Sequence, residues 1–202
     1  MSQQHNFEGI ATGIAEYPDE ERKLLLRLAH RAIAAKLRKE ALDTSAPSAR
    51  LAELRGAFTT LHRNGKLRGC IGYILPLYPL YQTIADTAVA AAFHDPRFVP
   101  VTIGELPELE IEISVLSQPA PIEPEEVQVG RHGLIVTLGA ARGLLLPQVP
   151  LEWGWDREQF LSETCHKAGL PPDAWKHGAR LEGFTAEVFG ESQAATTKAI
   201  LP

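Results

Sequence analysis

Asn64-Gly65 falls between two runs of strand-forming residues, Gly56-Ala57-Phe58-Thr59-Thr60-Leu61-His62-Arg63 and Lys66-Leu67-Arg68-Gly69-Cys70-Ile71-Gly72. A two-residue type I′ turn needs positive φ at both central positions, which Asn and Gly accept readily, so this segment predicts a tight β-hairpin. Counting back from the turn pairs Arg63 with Lys66, Leu61 with Arg68, Thr59 with Cys70 and Phe58 with Ile71. Alternation then puts Phe58, His62, Leu67 and Ile71 on one face, expected to be core. The other face is expected to carry Ala57, Thr59, Leu61, Arg68 and Cys70. Gly69 and Gly72 remove bulk beside Cys70, so another backbone or a ligand can come close.

Helical and strand periods fill the rest of the chain. Asp19 is expected to cap a helix over residues 20–41, with Leu25, Leu28, Ala29, Ala32, Ile33 and Leu37 as its buried stripe. Opposite them Arg22, Lys23, Arg27, Arg31, Lys36, Arg38 and Lys39 read as a solvated face. Pro79 opens an Ala-rich helix over residues 80–93, His94-Asp95-Pro96-Arg97-Phe98 ends it, and Thr102 with Glu105 has the capping-box form. Residues 109–116 alternate as a half-buried strand, and residues 134–138 and 144–146 read as a second hairpin. Asp156 with Gln159 caps a helix bearing Phe160, Leu161 and Cys165, and Phe184, Ala186 and Val188 suggest one final strand. The fold is therefore mixed. Residues 1–17 are expected to precede it as an extension, 18–191 to form one domain, and 192–202 to be a flexible tail.

Composition narrows the class. With 202 residues, 45% hydrophobic and 22% charged, the chain is expected to be an ordinary globular protein able to bury its own core. A net charge of −5 makes nucleic acid an unlikely partner, because neutralising phosphates needs clustered cations. Two cysteines are too few for a disulfide framework, and no secretory leader or membrane-length apolar run is visible, so a cytoplasmic location without membrane attachment is expected. The seven histidines form no H-x-H, H-E-x-x-H or similar pattern, so no metal site is expected, and no cofactor is indicated.

Cys70 is the leading functional candidate. Arg68, two residues away, is expected to share its face, and a cationic neighbour favours the thiolate, the nucleophilic form. The competing reading is a small buried thiol whose glycines serve only the hairpin. His94, Asp95 and Arg97 sit in a turn at a helix end, where they either supply a base and an anion contact or are ordinary turn chemistry. Leu144-Leu145-Leu146-Pro147-Gln148 with Glu152, Trp153 and Trp155 either walls a pocket, with Gln148 and Glu152 as its polar contacts, or is core followed by a helix cap. Cys165, on an apolar stripe, reads as core, and His166 as surface.

Leu67-Arg68-Gly69-Cys70-Ile71-Gly72, Ala91-Ala92-Phe93-His94-Asp95-Pro96-Arg97-Phe98, Gly143-Leu144-Leu145-Leu146-Pro147-Gln148-Val149, Gly154-Trp155-Asp156 and Lys167-Ala168-Gly169-Leu170 follow one another in this order. The chain thereby resembles the AMMECR domain family, called AmmeMemoRadiSam system protein A in prokaryotes, over residues 20–191. Pro150 departs from the family's usual Ala after Pro-Gln-Val. The resemblance implies an α+β fold, a mainly antiparallel sheet flanked by helices with a smaller second lobe. It also implies a Memo-type protein and a radical SAM protein as partners. The family's motif maps onto Arg68, Gly69, Cys70, Ile71 and Gly72, and its Asp and Arg turn onto Asp95 and Arg97. Two functions follow as expectations. One is a thiol-dependent enzyme or catalytic subunit using Cys70, activated by Arg68, with Asp95 and Arg97 positioning an unknown small-molecule or protein substrate. The other is a non-enzymatic module binding protein, nucleotide or nucleic acid, with Cys70 structural.

Overall fold

The hairpin forms as its turn requires, with φ of 53° at Asn64 and 70° at Gly65 between β1 (Ala57–Arg63) and β2 (Lys66–Tyr73). This is a computed structural model, and it describes residues 16–191. The ladder is interrupted after two pairs. Arg63 faces Lys66 and His62 faces Leu67, but Leu61 faces Gly69, leaving Arg68 as an extra residue on β2. Every later pair moves by one, so Thr60 rather than Thr59 faces Cys70, and Thr59 faces Ile71.

The faces differ from expectation on both strands, on β2 beyond Arg68 because of the bulge and on β1 because its core side is the other one. Ala57, Thr59 and Leu61 are the buried residues of β1, while Phe58, Thr60 and His62 are half-buried on the side that Cys70 shares. Thr59 tolerates the core because its hydroxyl shares a 2.8 Å hydrogen bond with that of Thr87. Thr87 lies on α2 (Leu80–Phe93), which runs beneath this face together with α1 (Asp19–Arg38). Their contributions to one core include Leu25, Leu28, Ile33, Ile84 and Ala88. The sheet is completed by β3 (Leu109–Leu116) and β8 (Ala186–Gly190), in the order β2-β1-β3-β8.

The first helix departs from expectation at both ends. Pro18, not Asp19, precedes it, and its carbonyl accepts from Arg22 N–H, so Asp19 contributes its charge within the first turn rather than a cap. Lys39, with φ of 58°, ends it before Ala41 is reached. Tyr17, expected to lie ahead of the fold, is instead 1% exposed and part of the core. Residues 1–15 of the expected extension and the expected tail, 192–202, lie outside the described residues.

A second compact unit, 117–186, is inserted between the third and last strands of the first. Its sheet runs β4-β7-β5-β6, from β4 (Ala120–Pro121), β5 (Gly133–Leu138), β6 (Ala141–Leu145) and β7 (Arg180–Phe184). A short α3 (Val149–Trp153), not expected from the sequence, precedes α4 (Arg157–Lys167). Asp156 caps α4 by accepting from Gln159 N–H at 2.8 Å, and Phe160, Leu161 and Cys165 join Leu134 and Val136 in the core of this unit. The expected single final strand is in fact two. Thr185 separates β7 from β8, and its N–H and C=O both bond Ser117, so each half joins a different sheet. The architecture is α+β, with two antiparallel sheets and helices.

Gly69 sets how closely β2 meets α2. A Cβ there would overlap the carbonyl oxygen of Ala91, a backbone atom that cannot swing aside. Gly69→Ala should therefore destabilise the protein by about 1–3 kcal/mol in denaturant unfolding. Gly104→Ala, where a Cβ meets nothing within 4 Å, should change stability by about 0.5 kcal/mol or less.

Candidate functional site

Among the described residues β2 is an edge strand, so backbone groups on its outer side have no neighbouring strand to bond. At Cys70 two side chains take that strand's place. Asp95 Oδ2 accepts the Cys70 N–H at 2.9 Å, and Arg97 Nη2 donates to the Cys70 carbonyl at 3.3 Å. Arg97 also grips Asp95 through both carboxylate oxygens, at 2.9 and 2.7 Å, and its own N–H closes the turn onto Oδ1 at 3.1 Å. The Asp95 side chain is only 1% exposed while that of Arg97 is 54% exposed. The hydrogen bonds from Arg97, and then the Cys70 N–H, hold the Asp95 carboxyl well below the usual carboxylate range despite its burial. Asp95 in turn keeps Arg97 firmly protonated.

The thiol lies on the opposite face from α2. Cys70 is partly exposed, and the hydroxyl of its cross-strand partner Thr60 donates to Sγ at 3.3 Å. Gly72 seats the ring of its own cross-strand partner, Phe58, since a Cβ there would run into that ring. Cys165, by contrast, is fully buried, and burial pushes its thiol pKa up.

Arg68 is engaged elsewhere. The bulge directs its guanidinium to Glu105, at 2.9 Å from Nε and 3.3 Å from Nη2, and Arg63 adds a third guanidinium contact at 3.1 Å. Thr102 N–H and Oγ1 also donate to Glu105. The hydrogen bonds from Arg68, and then those from Thr102, lower the Glu105 pKa to about 2 despite its burial.

The structure thus brings together Cys70, Gly69, Gly72, Asp95 and Arg97. It places Arg68 two residues along the strand, with its charge committed to Glu105. His94 is the exposed residue that ends α2, its N–H bonded to Ala90 O. Gln148 and Glu152 are exposed and belong to the inserted unit, where the Gln148 carbonyl accepts from Leu151 and Glu152 N–H to start α3. Thr60 and Glu105 were missed as site residues. Thr60 becomes visible only once the bulge is placed, and Glu105 reads from sequence as a helix cap alone. Among the described residues, no group of three or more His, Cys, Asp or Glu converges to hold a metal ion, and no helix is long and apolar enough to cross a membrane.

Fold and site together define a class: an α+β protein with an inserted unit, carrying a partly exposed cysteine on a sheet edge closed by an Asp–Arg pair. Comparison with known proteins places it. Residues 26–189 match the AMMECR1 family model. Protein PYRAB00100 of Pyrococcus abyssi is 46% identical over 192 residues, covering 88% of this chain and 94% of its own. Protein MK0488 of Methanopyrus kandleri is 45% identical over 186 residues, covering 86% and 90%. The crystal structure of uncharacterized protein PH0010 from Pyrococcus horikoshii is similar with a TM-score of 0.72 at 46% identity, covering 86% of this chain and 93% of that one. The chain belongs to the AMMECR1 family.

Two outcomes test the electrostatics. Asp95→Ala should cost about 1–3 kcal/mol and speed hydrogen exchange at the Cys70 amide, which loses its acceptor. Because the Glu105 pKa is depressed on folding, its contribution is complete above the ordinary Glu value of about 4.3. It is lost as pH falls through about 2. Glu105→Gln should lower stability at neutral pH and flatten the acid limb of an unfolding-versus-pH curve across that window.

Proposed function

We propose that the chain is a thiol-dependent enzyme, or the catalytic subunit of one, in which Cys70 is the nucleophile and Asp95 with Arg97 holds it in place. The observation that carries this reading is the Thr60 hydroxyl donating to Sγ at 3.3 Å on a thiol that remains partly exposed. A hydroxyl donor at sulfur complements the negative charge that an attacking thiolate carries. In this role Cys70 gives its proton to solvent, the sulfur electron pair forms the bond to an electrophilic substrate atom, and the bond from that atom to its leaving group breaks, the leaving group departing with the bonding pair. Arg68 acts indirectly, by holding the bulge that turns Cys70 toward Thr60. Family resemblance adds a Memo-type protein and a radical SAM protein as partners.

A second reading has an observation of its own. Gly69, Gly72, Asp95 and Arg97 each have a structural task, which is what a non-enzymatic binding module with a structural Cys70 requires. Alkylation separates the two. With Cys165 fully buried, iodoacetamide should modify one thiol, Cys70, in the native chain and both after denaturation. At neutral pH Cys70 should react at least about tenfold faster than a free peptide thiol, and Arg97→Ala should slow it. A rate equal to the peptide's selects the binding-module reading.

A further inference from the structure

We propose that the tip of the β1–β2 hairpin binds the phosphate group of a small molecule, whether or not Cys70 reacts. The site is a depression of about 320 Å³ lined by Arg63, Asn64, Lys66, Leu67 and Arg68. Three cations line it, and the fold leaves them incompletely answered. Glu105 is already saturated, accepting from Arg63 Nη1, Arg68 Nε, Arg68 Nη2 and both donors of Thr102. Glu108 accepts from Arg63 Nε. Lys66 has no ion pair among the described residues, so one positive charge is left over. Among the described residues Arg68 Nη1 is buried without a hydrogen-bond partner, although the rest of its guanidinium is fixed by Glu105.

One unanswered ammonium beside two guanidiniums already held by carboxylates suits a compact anion with several acceptor oxygens better than a lone carboxylate. Leu67, 42% exposed, offers an apolar wall to whatever carries the phosphate. A polynucleotide fits poorly, because three cations at one turn do not track a backbone and the chain carries a net charge of −5.

The test is an amide-shift titration of the full chain with glycerol 3-phosphate and, separately, inorganic phosphate, with ionic strength held constant by KCl. Glycerol 3-phosphate should give saturable shifts centred on residues 64–68, several-fold tighter than inorganic phosphate. Lys66→Ala should weaken binding at least fivefold, and Lys66→Glu should abolish it, with shifts elsewhere unchanged. Non-saturating shifts, or unaltered affinity in both variants, would overturn the site. Equal affinity for the two probes would assign it to free phosphate, and tighter, salt-steep binding of a single-stranded oligonucleotide would assign it to nucleic acid. Either result would overturn the proposed ligand class.

Discussion

Arg68 is the one residue between the paired ends of β2 that has no partner on β1, and Glu105 holds it there through two hydrogen bonds. Its side chain is only 12% exposed, a depth at which a guanidinium needs a carboxylate. Everything around the cysteine follows from that inserted residue. Because side chains alternate along a strand, one extra position sends Gly69 toward α2 and leaves Cys70 opposite Thr60. The backbone groups of Cys70 then point off the sheet edge, where Asp95 and Arg97 meet them.

Much of this was legible in the sequence. Asn64-Gly65 specified the hairpin, residue alternation specified β3, and the Asp156–Gln159 cap specified α4, each through interactions spanning a few residues. The bulge was not legible, because the group that stabilises it lies 37 residues further on. Without it the residues of β2 beyond Arg68 fall on the wrong side relative to β1, and the hydroxyl bond that lets Thr59 lie in the core is again a contact between distant segments. Asp95 was readable as a turn residue, and it does close its own turn. Its second task, accepting a strand N–H 25 residues earlier, has no local signature.

Membership of the AMMECR1 family accounts for the motif order, and the geometry gives most of those residues a physical task. Gly69 admits a helix carbonyl, Gly72 admits a ring, and the Asp95–Arg97 pair ends a sheet that would otherwise present open backbone groups. A cysteine held by its backbone on both sides keeps its side chain free of that duty. The sulfur is therefore positioned without being enclosed.

The insertion of 117–186 ahead of β8 bears on how the chain is made. β8 carries Glu187, which accepts from the N–H groups of Glu16 and Tyr17 and from Arg22, and Glu191 just beyond it accepts from Ile111 N–H and faces His30. Those partners emerge from the ribosome long before the carboxylates that satisfy them. Among the described strands, until translation passes Ala186 the first sheet has β3 at its edge, while the inserted unit already has its four. The later-made unit can thus complete its sheet before the earlier-made one does.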